Sequence, residues 1–478
     1  MSASNVIWTA KEAASATSGR APADWKAFGV SIDSRTVCEG DLFVALAGDH
    51  GDGHAYVAAA LEKGAVAAVV SRIPEGVDEG RLLVVEDTFK ALQDLGGAAR
   101  ARSGAKIIGV TGSVGKTGTK EMLAAAFGAC GQVHASGKSY NNHWGVPLSL
   151  AQMHAGCDFG VFEMGMNHSG EIVPLTRQVR PDIAIITTIQ PVHIESFEKG
   201  EEGIAEAKAE IFEGMKEGAA AVLPRDCKWF GFLEEKAKAR GLRVCSFGED
   251  ERADVCMLEC LIAANGSRVK ARVLGEEIVL TLQAPGRHIA SNALSVLAAV
   301  KLSGCDLKKA AKALAGVVPP PGRGRREYLD IGDPDNPVTL IDESYNASPV
   351  AMRAAFKVLA LIDPGRGGRR IAVLGDMYEL GKDAPRLHAD MAVPLQNADV
   401  QFVYTSGPLM KNLYNALPEE KRGAHRDDSA ELAQIVPEVL VPGDVVMVKG
   451  SRGGGEKPRM QLVVEALRAL PEKLRKKD

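Results

Sequence analysis

Short apolar runs alternate with longer stretches of helical periodicity over most of the chain. In the first two thirds the runs at 107–110, 159–162 and 183–188 have the length of buried strands, and a helix-length segment follows each of them. The same alternation returns at 338–341, 371–374 and 445–448. Strands that alternate with helices predict parallel sheets covered on both faces, so we predict an α/β fold.

At 478 residues the chain is too long for one ordinary domain. Three prolines stiffen the segment 316–326, whose glycines and arginines also mark it as a linker. We predict a small α/β N-terminal domain over 1–104 and a central domain over 105–324. A C-terminal, Rossmann-like domain is expected over 325–478.

Composition narrows the class of protein. Hydrophobic residues make up 46% and charged residues 25%, as in ordinary globular proteins, and the net charge of −4 gives no general attraction to nucleic acid or anionic membranes. No apolar run has the length of a membrane span, the first residues lack a signal-peptide core, and the eight cysteines include no C-x-x-C pair. We therefore expect a cytoplasmic monomer without nucleic-acid or membrane partners.

A glycine-rich turn joins the strand at 107–110 to the helix that follows. Its residues are Thr111, Gly112, Ser113, Val114, Gly115, Lys116 and Thr117. Such a turn lets backbone N–H groups converge on phosphate oxygens at the start of a helix. Lys116 is placed to reach the β- and γ-phosphates, and the Thr117 hydroxyl to bind a phosphate-bound Mg²⁺. The turn predicts a nucleotide-phosphate site.

Other polar residues follow the ends of predicted strands. Glu163 ends the strand at 159–162, and His193 lies just beyond the strand at 183–188. Because ligands of open α/β sheets bind outside the carboxyl ends of the strands, we expect both residues to lie near Thr117. The third unit also has polar strand ends but no phosphate loop, so we predict that it closes over the central site.

Lys208 is the most informative residue of a helix predicted from Glu201 to Lys216. At 100° per residue it falls inside an apolar arc, with glutamates on the opposite face. One interpretation is a lysine that extends past apolar neighbours to reach water. The other is a buried lysine, whose depressed pKa makes its amine nucleophilic and open to modification.

Together these motifs resemble the Mur ligase family, the ATP-dependent amide ligases of bacterial cell-wall assembly. The resemblance covers essentially the whole chain, and the family has its own phosphate loop with glycines three apart. The segments that resemble the family are Asp33-Ser34-Arg35, Asp52-Gly53-His54, residues 111–117, Asn141 to Pro147, Glu163 to His168, His193, Ala207 to Ile211 and Asn292 to Leu294.

Motifs of the third unit resemble those family members that join D-alanyl-D-alanine to UDP-N-acetylmuramoyl-tripeptide. These motifs are residues 342–349, 374–381 and 448–452. The resemblance implies that ATP converts the tripeptide carboxylate into an acyl phosphate, which the dipeptide amine attacks. The alternatives are a Mur-type ligase that adds diaminopimelate, lysine or glutamate, and a nucleotide-binding module without ligase chemistry.

The resemblance also implies roles for individual residues. Lys116, Lys208 and His193 would be catalytic, with Lys208 carbamylated, and two Mg²⁺ ions would be bound by Thr117, Glu163, His193 and Lys208. Asn292 would lie by the adenine of ATP, Arg323 by its phosphates and Asp342 on its ribose. The substrates would be bound by Ser34, Arg35, Asn141, Asn142 and Asn346, the first two holding the UDP-sugar and Asn346 lying near the dipeptide.

Overall fold

The computed structural model describes residues 6–48, 51–137, 139–192, 194–452 and 459–475. It has the predicted α/β class, with three separate sheets that follow one another along the chain. Among the described residues, no helix is long and apolar enough to cross a membrane.

The N-terminal part is built on a four-stranded parallel sheet in the order β3-β4-β7-β8. Of two short antiparallel pairs, β1-β2 precedes this sheet in the chain and β5-β6 lies between β4 and β7. Its strands are β1 Trp8–Thr9, β2 Lys26–Ala27, β3 Gly29–Ser31, β4 Asp41–Val44, β5 Ala47–Gly48, β6 Gly51–Asp52, β7 Ala67–Val70 and β8 Leu82–Val84; its helices are α1 Ala10–Thr17, α2 Val57–Glu62 and α3 Thr88–Arg102.

The central part contains a nine-stranded sheet in the order β10-β11-β9-β12-β13-β14-β15-β16-β17. Pairing is parallel as far as β15 and antiparallel from β15 to β17. Its strands are β9 Lys106–Thr111, β10 Val133–Ala135, β11 Phe159–Glu163, β12 Ile183–Ile186, β13 Ala220–Pro224, β14 Arg243–Gly248, β15 Val255–Ala263, β16 Gly266–Val273 and β17 Glu276–Leu282; its helices are α4 Lys116–Gly128, α5 Gly145–Ala151, α6 Ile172–Val179, α7 Glu201–Ala209, α8 Phe230–Ala239, α9 Arg287–Leu302 and α10 Leu307–Leu314.

The third part is a six-stranded sheet in the order β18-β19-β23-β20-β21-β22, parallel except for β18 at its edge. Its strands are β18 Arg325–Leu329, β19 Val338–Glu343, β20 Arg370–Gly375, β21 Phe402–Ser406, β22 Arg422–Arg426 and β23 Val445–Lys449; its helices are α11 Pro349–Leu359, α12 Ala384–Ala389, α13 Ala392–Asn397, α14 Met410–Ala416, α15 Ser429–Val439, α16 Gln461–Arg468 and α17 Leu470–Arg475.

Two separate cores sandwich the central sheet, and this arrangement explains the sequence pattern of its strands. Ile108 and Val110 pack with α4 and α9 on one face, while Ile107 and Phe162 pack with α5 and α7 on the other. A strand buried on both faces needs apolar side chains at every position rather than at alternate ones. The same packing leaves only the strand ends free for polar residues.

The helix predicted from Glu201 to Lys216 is shorter than expected. α7 ends at Ala209, and a tighter 3-10 segment, Glu210–Gly214, follows it. Glu210 was expected on the exposed face, but its carboxylate accepts hydrogen bonds from the backbone N–H groups of Gly170 (2.6 Å) and Ile172 (3.1 Å). The start of α6 is therefore tied to the end of α7, immediately beside Lys208.

His134 makes the stability of the central domain pH-dependent. Its Nε2 lies 2.7 Å from the carbonyl oxygen of Ser149, and burial lowers its pKa to about 4. Below the unfolded-state pKa of ~6.5 only the unfolded chain takes up this proton, so the free energy of unfolding falls by ~1.4 kcal/mol per pH unit until pH ~4. Above pH ~6.5 this contribution is fully present.

We expect His134→Gln, which keeps an N–H donor for Ser149, to flatten this part of the pH dependence. Urea unfolding of both proteins at pH 7, 5.5 and 4.5 measures the difference. If the free energy of unfolding falls equally in the wild type and the variant as the pH is lowered, His134 does not titrate in this way.

Candidate functional site

The phosphate loop has a backbone that only glycine tolerates at its bend. Gly115 has φ +87°, and a Cβ atom at this position would lie 2.6 Å from Nδ2 of Asn292 on α9. The backbone passes this close to α9 because the loop must turn directly from β9 into α4. Asn292 therefore lies against the loop itself, and its predicted contact with the adenine stays a prediction.

The first two residues of the predicted loop support the site rather than line it. Thr111 is fully buried at the end of β9, and its carbonyl oxygen accepts a hydrogen bond from the backbone N–H of Thr187. Gly112 follows with φ +143° against Thr187. The cleft is lined by Ser113 to Thr117, whereas Thr111 and Gly112 make the structural contacts described; their predicted contacts with ATP stay predictions.

Lys116, at the start of α4, brings a positive charge to the cleft, where it could bind phosphate. Its ammonium donates a hydrogen bond to the carbonyl oxygen of Gly112 (2.6 Å). Burial lowers the pKa of Lys116, Glu163 opposes this shift, and Arg323 lowers the pKa further. Lys116 and Arg323 are therefore close enough to repel each other, and an anion between them would relieve that repulsion.

Glu163 connects the phosphate loop to the segment before α5. One of its carboxylate oxygens accepts a hydrogen bond from Thr117 Oγ1 (2.9 Å), and the other accepts one from Asn141 Nδ2 (2.7 Å). Neighbouring ligands of an octahedral Mg²⁺ at ~2.1 Å lie ~3 Å apart, so Thr117 and Glu163 fit one ion. The predicted ligand His193 lies outside the described residues.

Magnesium binding at this place would rest on few protein ligands. Within the described ranges, no group of three or more His, Cys, Asp or Glu side chains is arranged to hold a metal. Thr117 and Glu163 supply hard oxygen ligands, the type that Mg²⁺ prefers, and Mg²⁺ usually takes its remaining ligands from water and phosphate. The residues present fit a metal that is bound together with a nucleotide.

Lys208 is enclosed rather than extended to water. It is 2% exposed, and burial lowers its pKa well below the usual range. The ammonium of Lys116 lowers the pKa further, while Glu210, Glu171 and Glu163 oppose the shift. Of the two interpretations of this lysine, the structure has the buried one, with Lys208 close enough to Lys116 for their charges to interact.

A cleft of about 640 Å³ separates the phosphate loop from the third domain. The third domain contributes residues from the ends of β19 and β23 to its wall, among them Glu343, Tyr345, Asn346 and Lys449. Lys449 donates hydrogen bonds to Glu343 Oε2 and to the carbonyl oxygen of Asn346, both at 3.0 Å. The sequence placed these residues at strand ends but gave only Asn346 a role.

Asp342 is buried and is not among the residues that line the cleft; its predicted contact with a ribose stays a prediction. Its Oδ2 accepts hydrogen bonds from Gly322 N and Arg468 Nη2, both at 3.0 Å, and its Oδ1 accepts one from Ser344 Oγ at 2.6 Å. Side chains alternate between the two faces of a strand, so the next residue, Glu343, reaches the cleft instead.

Three further predicted substrate residues have structural partners. Asn142 is exposed, does not line the cleft, and its Oδ1 accepts a hydrogen bond from the backbone N–H of Gly145 (2.9 Å) at the start of α5. Arg35, on the N-terminal domain, does not line the cleft; it is exposed and pairs with both oxygens of Asp33 (2.9 and 2.8 Å). Ser34 lies beside it and accepts a hydrogen bond from Lys63 through its carbonyl oxygen.

Three family models match successive parts of the chain. They are the Mur ligase family, catalytic domain over residues 27–125, the Mur ligase middle domain over 110–300, and the Mur ligase, glutamate ligase domain over 324–452. The UDP-N-acetylmuramoyl-tripeptide–D-alanyl-D-alanine ligase of Rickettsia prowazekii is 32% identical over 425 residues, which is 89% of this chain and 92% of that protein. The chain belongs to the Mur ligase family.

Other Mur ligases agree with this assignment. The enzyme of the same name from Escherichia coli is 31% identical over 441 residues, or 92% of this chain and 93% of that protein. Crystal structures of MurF from Acinetobacter baumannii (TM-score 0.81, 28% identity, 97% of this chain and 99% of that chain) and from Thermotoga maritima with ADP (0.74, 27%, 93% and 98%) have similar folds. As a Mur ligase, this chain is an ATP-dependent ligase.

Proposed function

We propose that the protein joins D-alanyl-D-alanine to UDP-N-acetylmuramoyl-tripeptide at the expense of ATP, giving UDP-N-acetylmuramoyl-pentapeptide, ADP and phosphate. The observation that supports this choice most strongly is the similarity to ligases of that name along 89% or more of the chain. The three domains would divide the work, with the UDP-sugar on 1–104, ATP on 105–324 and the dipeptide on 325–478.

The first step of this reaction brings two anions together. The tripeptide carboxylate attacks the γ-phosphate, so positive charge has to surround the phosphate during transfer. Lys116 and Arg323 both line the cleft, and Arg323 is close enough to lower the pKa of Lys116. Bound magnesium, held by Thr117 and Glu163 together with the predicted ligands His193 and Lys208, would supply further charge neutralisation.

A magnesium ligand at Lys208 requires that its amine be modified. A buried lysine with a depressed pKa has a neutral amine, which can attack carbon dioxide. The new N–C bond gives a carbamate after loss of one proton, so a potential cation becomes an anion. The carbamate would then lie beside Lys116 and would attract it, where the ammonium form repels it.

The positions of the other predicted residues suggest which substrate each would contact. Asn292, against Gly115, would contact the nucleotide, and Asn141 would hold Glu163 in the orientation that its 2.7 Å hydrogen bond fixes. Ser34 and Arg35 would bind the UDP-sugar on the N-terminal domain. Asn346, on the cleft wall, would lie near the dipeptide.

We expect Asp342 and Glu343 to differ when each is replaced by its amide. Asp342→Asn weakens a buried, fully hydrogen-bonded carboxylate, so it should cost ~1–3 kcal/mol of the free energy of unfolding. Glu343→Gln changes a residue of the cleft and should mainly raise the KM for ATP. Urea unfolding and initial rates at varied ATP measure both effects. A larger rise of the ATP KM in Asp342→Asn would support the predicted contact of Asp342 with the ribose.

A substrate panel tests the proposed reaction. Phosphate release is measured with ATP, UDP-N-acetylmuramoyl-tripeptide and D-alanyl-D-alanine. It is then measured with diaminopimelate, lysine and glutamate in turn, each with the UDP-N-acetylmuramoyl acceptor that lacks the residue to be added. We expect turnover with the dipeptide and none with a single amino acid. Turnover with one amino acid and none with the dipeptide would reject the proposal in favour of another ligase of the family.

A further inference from the structure

Arg323 is attached to the third domain through the backbone on both sides of it. The N–H of Gly322 donates a hydrogen bond to Asp342 Oδ2 (3.0 Å), and the N–H of Gly324 donates one to the carbonyl oxygen of Asp342 (2.8 Å). The backbone N–H of Tyr345 in turn donates a hydrogen bond to the carbonyl oxygen of Gly322 (3.1 Å). These bonds hold the backbone of Arg323 against the end of β19.

The linker leaves the central domain a few residues before Arg323. Val317 packs against the core of the central domain, whereas the next residue, Val318, is 55% exposed and three prolines follow it. The side chain of Arg323 nevertheless lines the cleft and is close enough to Lys116 to lower the pKa of that lysine. An arginine held by one domain therefore acts on the phosphate loop of another.

The aromatic ring of Tyr345 holds the side chain of Arg323. The guanidinium carbon lies 4.1 Å from the centre of the ring, and Tyr345 lines the same cleft. A cation over the face of an aromatic ring at this distance is attracted by the electrons of the ring. Because a free arginine side chain has many rotamers, this contact restricts the positions that the guanidinium can take.

This contact leaves the charge and the N–H groups of Arg323 available to a ligand. Within the described parts of the chain, no carboxylate forms an ion pair with Arg323, whereas Lys449 in the same cleft is paired with Glu343. A guanidinium that stacks on a ring keeps its N–H donors in its own plane, where they can bind phosphate oxygens. The ring therefore orients the cation without neutralising it.

We propose that Tyr345 is a positioning residue for phosphate transfer, because its ring holds Arg323 in the orientation that contacts the transferred phosphate. This inference rests on the proposed function, in which Arg323 lies by the phosphates of ATP. Tyr345 and the backbone of Arg323 both belong to the third domain, so the pair stays assembled when that domain moves. The third domain thus brings an oriented cation to a phosphate that is bound on the central domain.

Variants of Tyr345 separate the ring from the hydroxyl group. Tyr345→Phe keeps the ring and should keep the wild-type kcat at saturating ATP. Tyr345→Leu removes the ring and should lower kcat by about 2- to 30-fold, the range of one cation–π contact, with a smaller change in the KM for ATP. Tyr328→Leu, at a tyrosine of β18 that is 69% exposed, is the matched control and should retain the wild-type kcat.

Arg323→Gln shows whether the ring acts through this arginine. In the Arg323→Gln enzyme we expect Tyr345→Leu to cause no further loss of kcat, because the group that the ring positions is already absent. An equal loss with and without Arg323 would overturn the inference, and so would a wild-type kcat in Tyr345→Leu. A loss in Tyr345→Phe as large as that in Tyr345→Leu, or a change confined to the KM for ATP, would also overturn it.

These rates are measured with the amine that the wild type turns over. Failure of the wild type to use D-alanyl-D-alanine would reject the proposed function, and the variants would still be compared with the amine that is used. Thermal unfolding identifies any variant that has not folded. Tyr345→Gln then replaces Tyr345→Leu as the variant without a ring, with the same expected loss of kcat.

Discussion

Lys208→Ala is expected to lower the rate of ATP-dependent ligation by about 10³-fold, and a small carboxylic acid is expected to restore part of it. A unit charge ~4 Å from another interacts by ~4 kcal/mol at an effective dielectric constant of ~20, which corresponds to ~10³-fold in rate. The variant lacks the proposed carbamate, and acetate or formate that enters the space could replace its charge. Phosphate release with and without added acid measures both effects.

Lys120 provides the control for this experiment. It is as enclosed as Lys208, at 2% exposure, but its ammonium is bound by the carbonyl oxygen of Ser136 (2.8 Å) and by Glu121 (2.7 Å). Lys120→Ala should therefore act through stability, and added acids should not restore its activity. Full activity of Lys208→Ala, or equal recovery of both variants with acid, would exclude a modified Lys208 from the reaction.

Lys116→Met is expected to reduce kcat by about 10³-fold with a smaller effect on ATP binding. The methionine keeps the length of the side chain in its buried site, and it removes the positive charge that the transferred phosphate needs. Backbone N–H groups of the loop would still hold ATP, so binding should weaken less than turnover. Initial rates at saturating ATP, with nucleotide affinity measured by calorimetry, separate the two effects.

Lys106→Met is the matched control because Lys106 is exposed at the start of the strand that leads into the same loop. We expect this variant to retain wild-type rates. A Lys116→Met enzyme that turns over normally at saturating ATP would show that the loop binds nucleotide without taking part in phosphate transfer.

The central part of the site could be predicted because parallel strands end at a common edge. The sequence placed Thr117 after one strand and Glu163 at the end of another, and the structure joins them by a hydrogen bond of 2.9 Å. Lys208 was harder to interpret, since its helical position was compatible with an exposed or a buried ammonium. The structure decided between them, because α7 packs into the core on one face of the central sheet and encloses Lys208.

Other features depend on contacts that sequence patterns do not contain. A shift of one residue exchanges the two faces of a strand, so the choice between Asp342 and Glu343 required the register of β19. The ring of Tyr345 contacts two segments that are far apart in sequence, the linker at Arg323 and the end of β23 at Arg452. Only the folded chain shows that these segments meet.

Transfer of oxygen from the tripeptide to phosphate tests most directly whether this ligase activates a carboxylate with ATP. The terminal carboxylate of UDP-N-acetylmuramoyl-tripeptide is labelled with ¹⁸O, and the phosphate released during ligation is analysed by mass spectrometry. An acyl phosphate intermediate predicts that each phosphate receives one ¹⁸O atom, because the amine displaces the oxygen that bridged carbon and phosphorus. Unlabelled phosphate, released while the peptide bond still forms, would contradict the reaction proposed for this cleft.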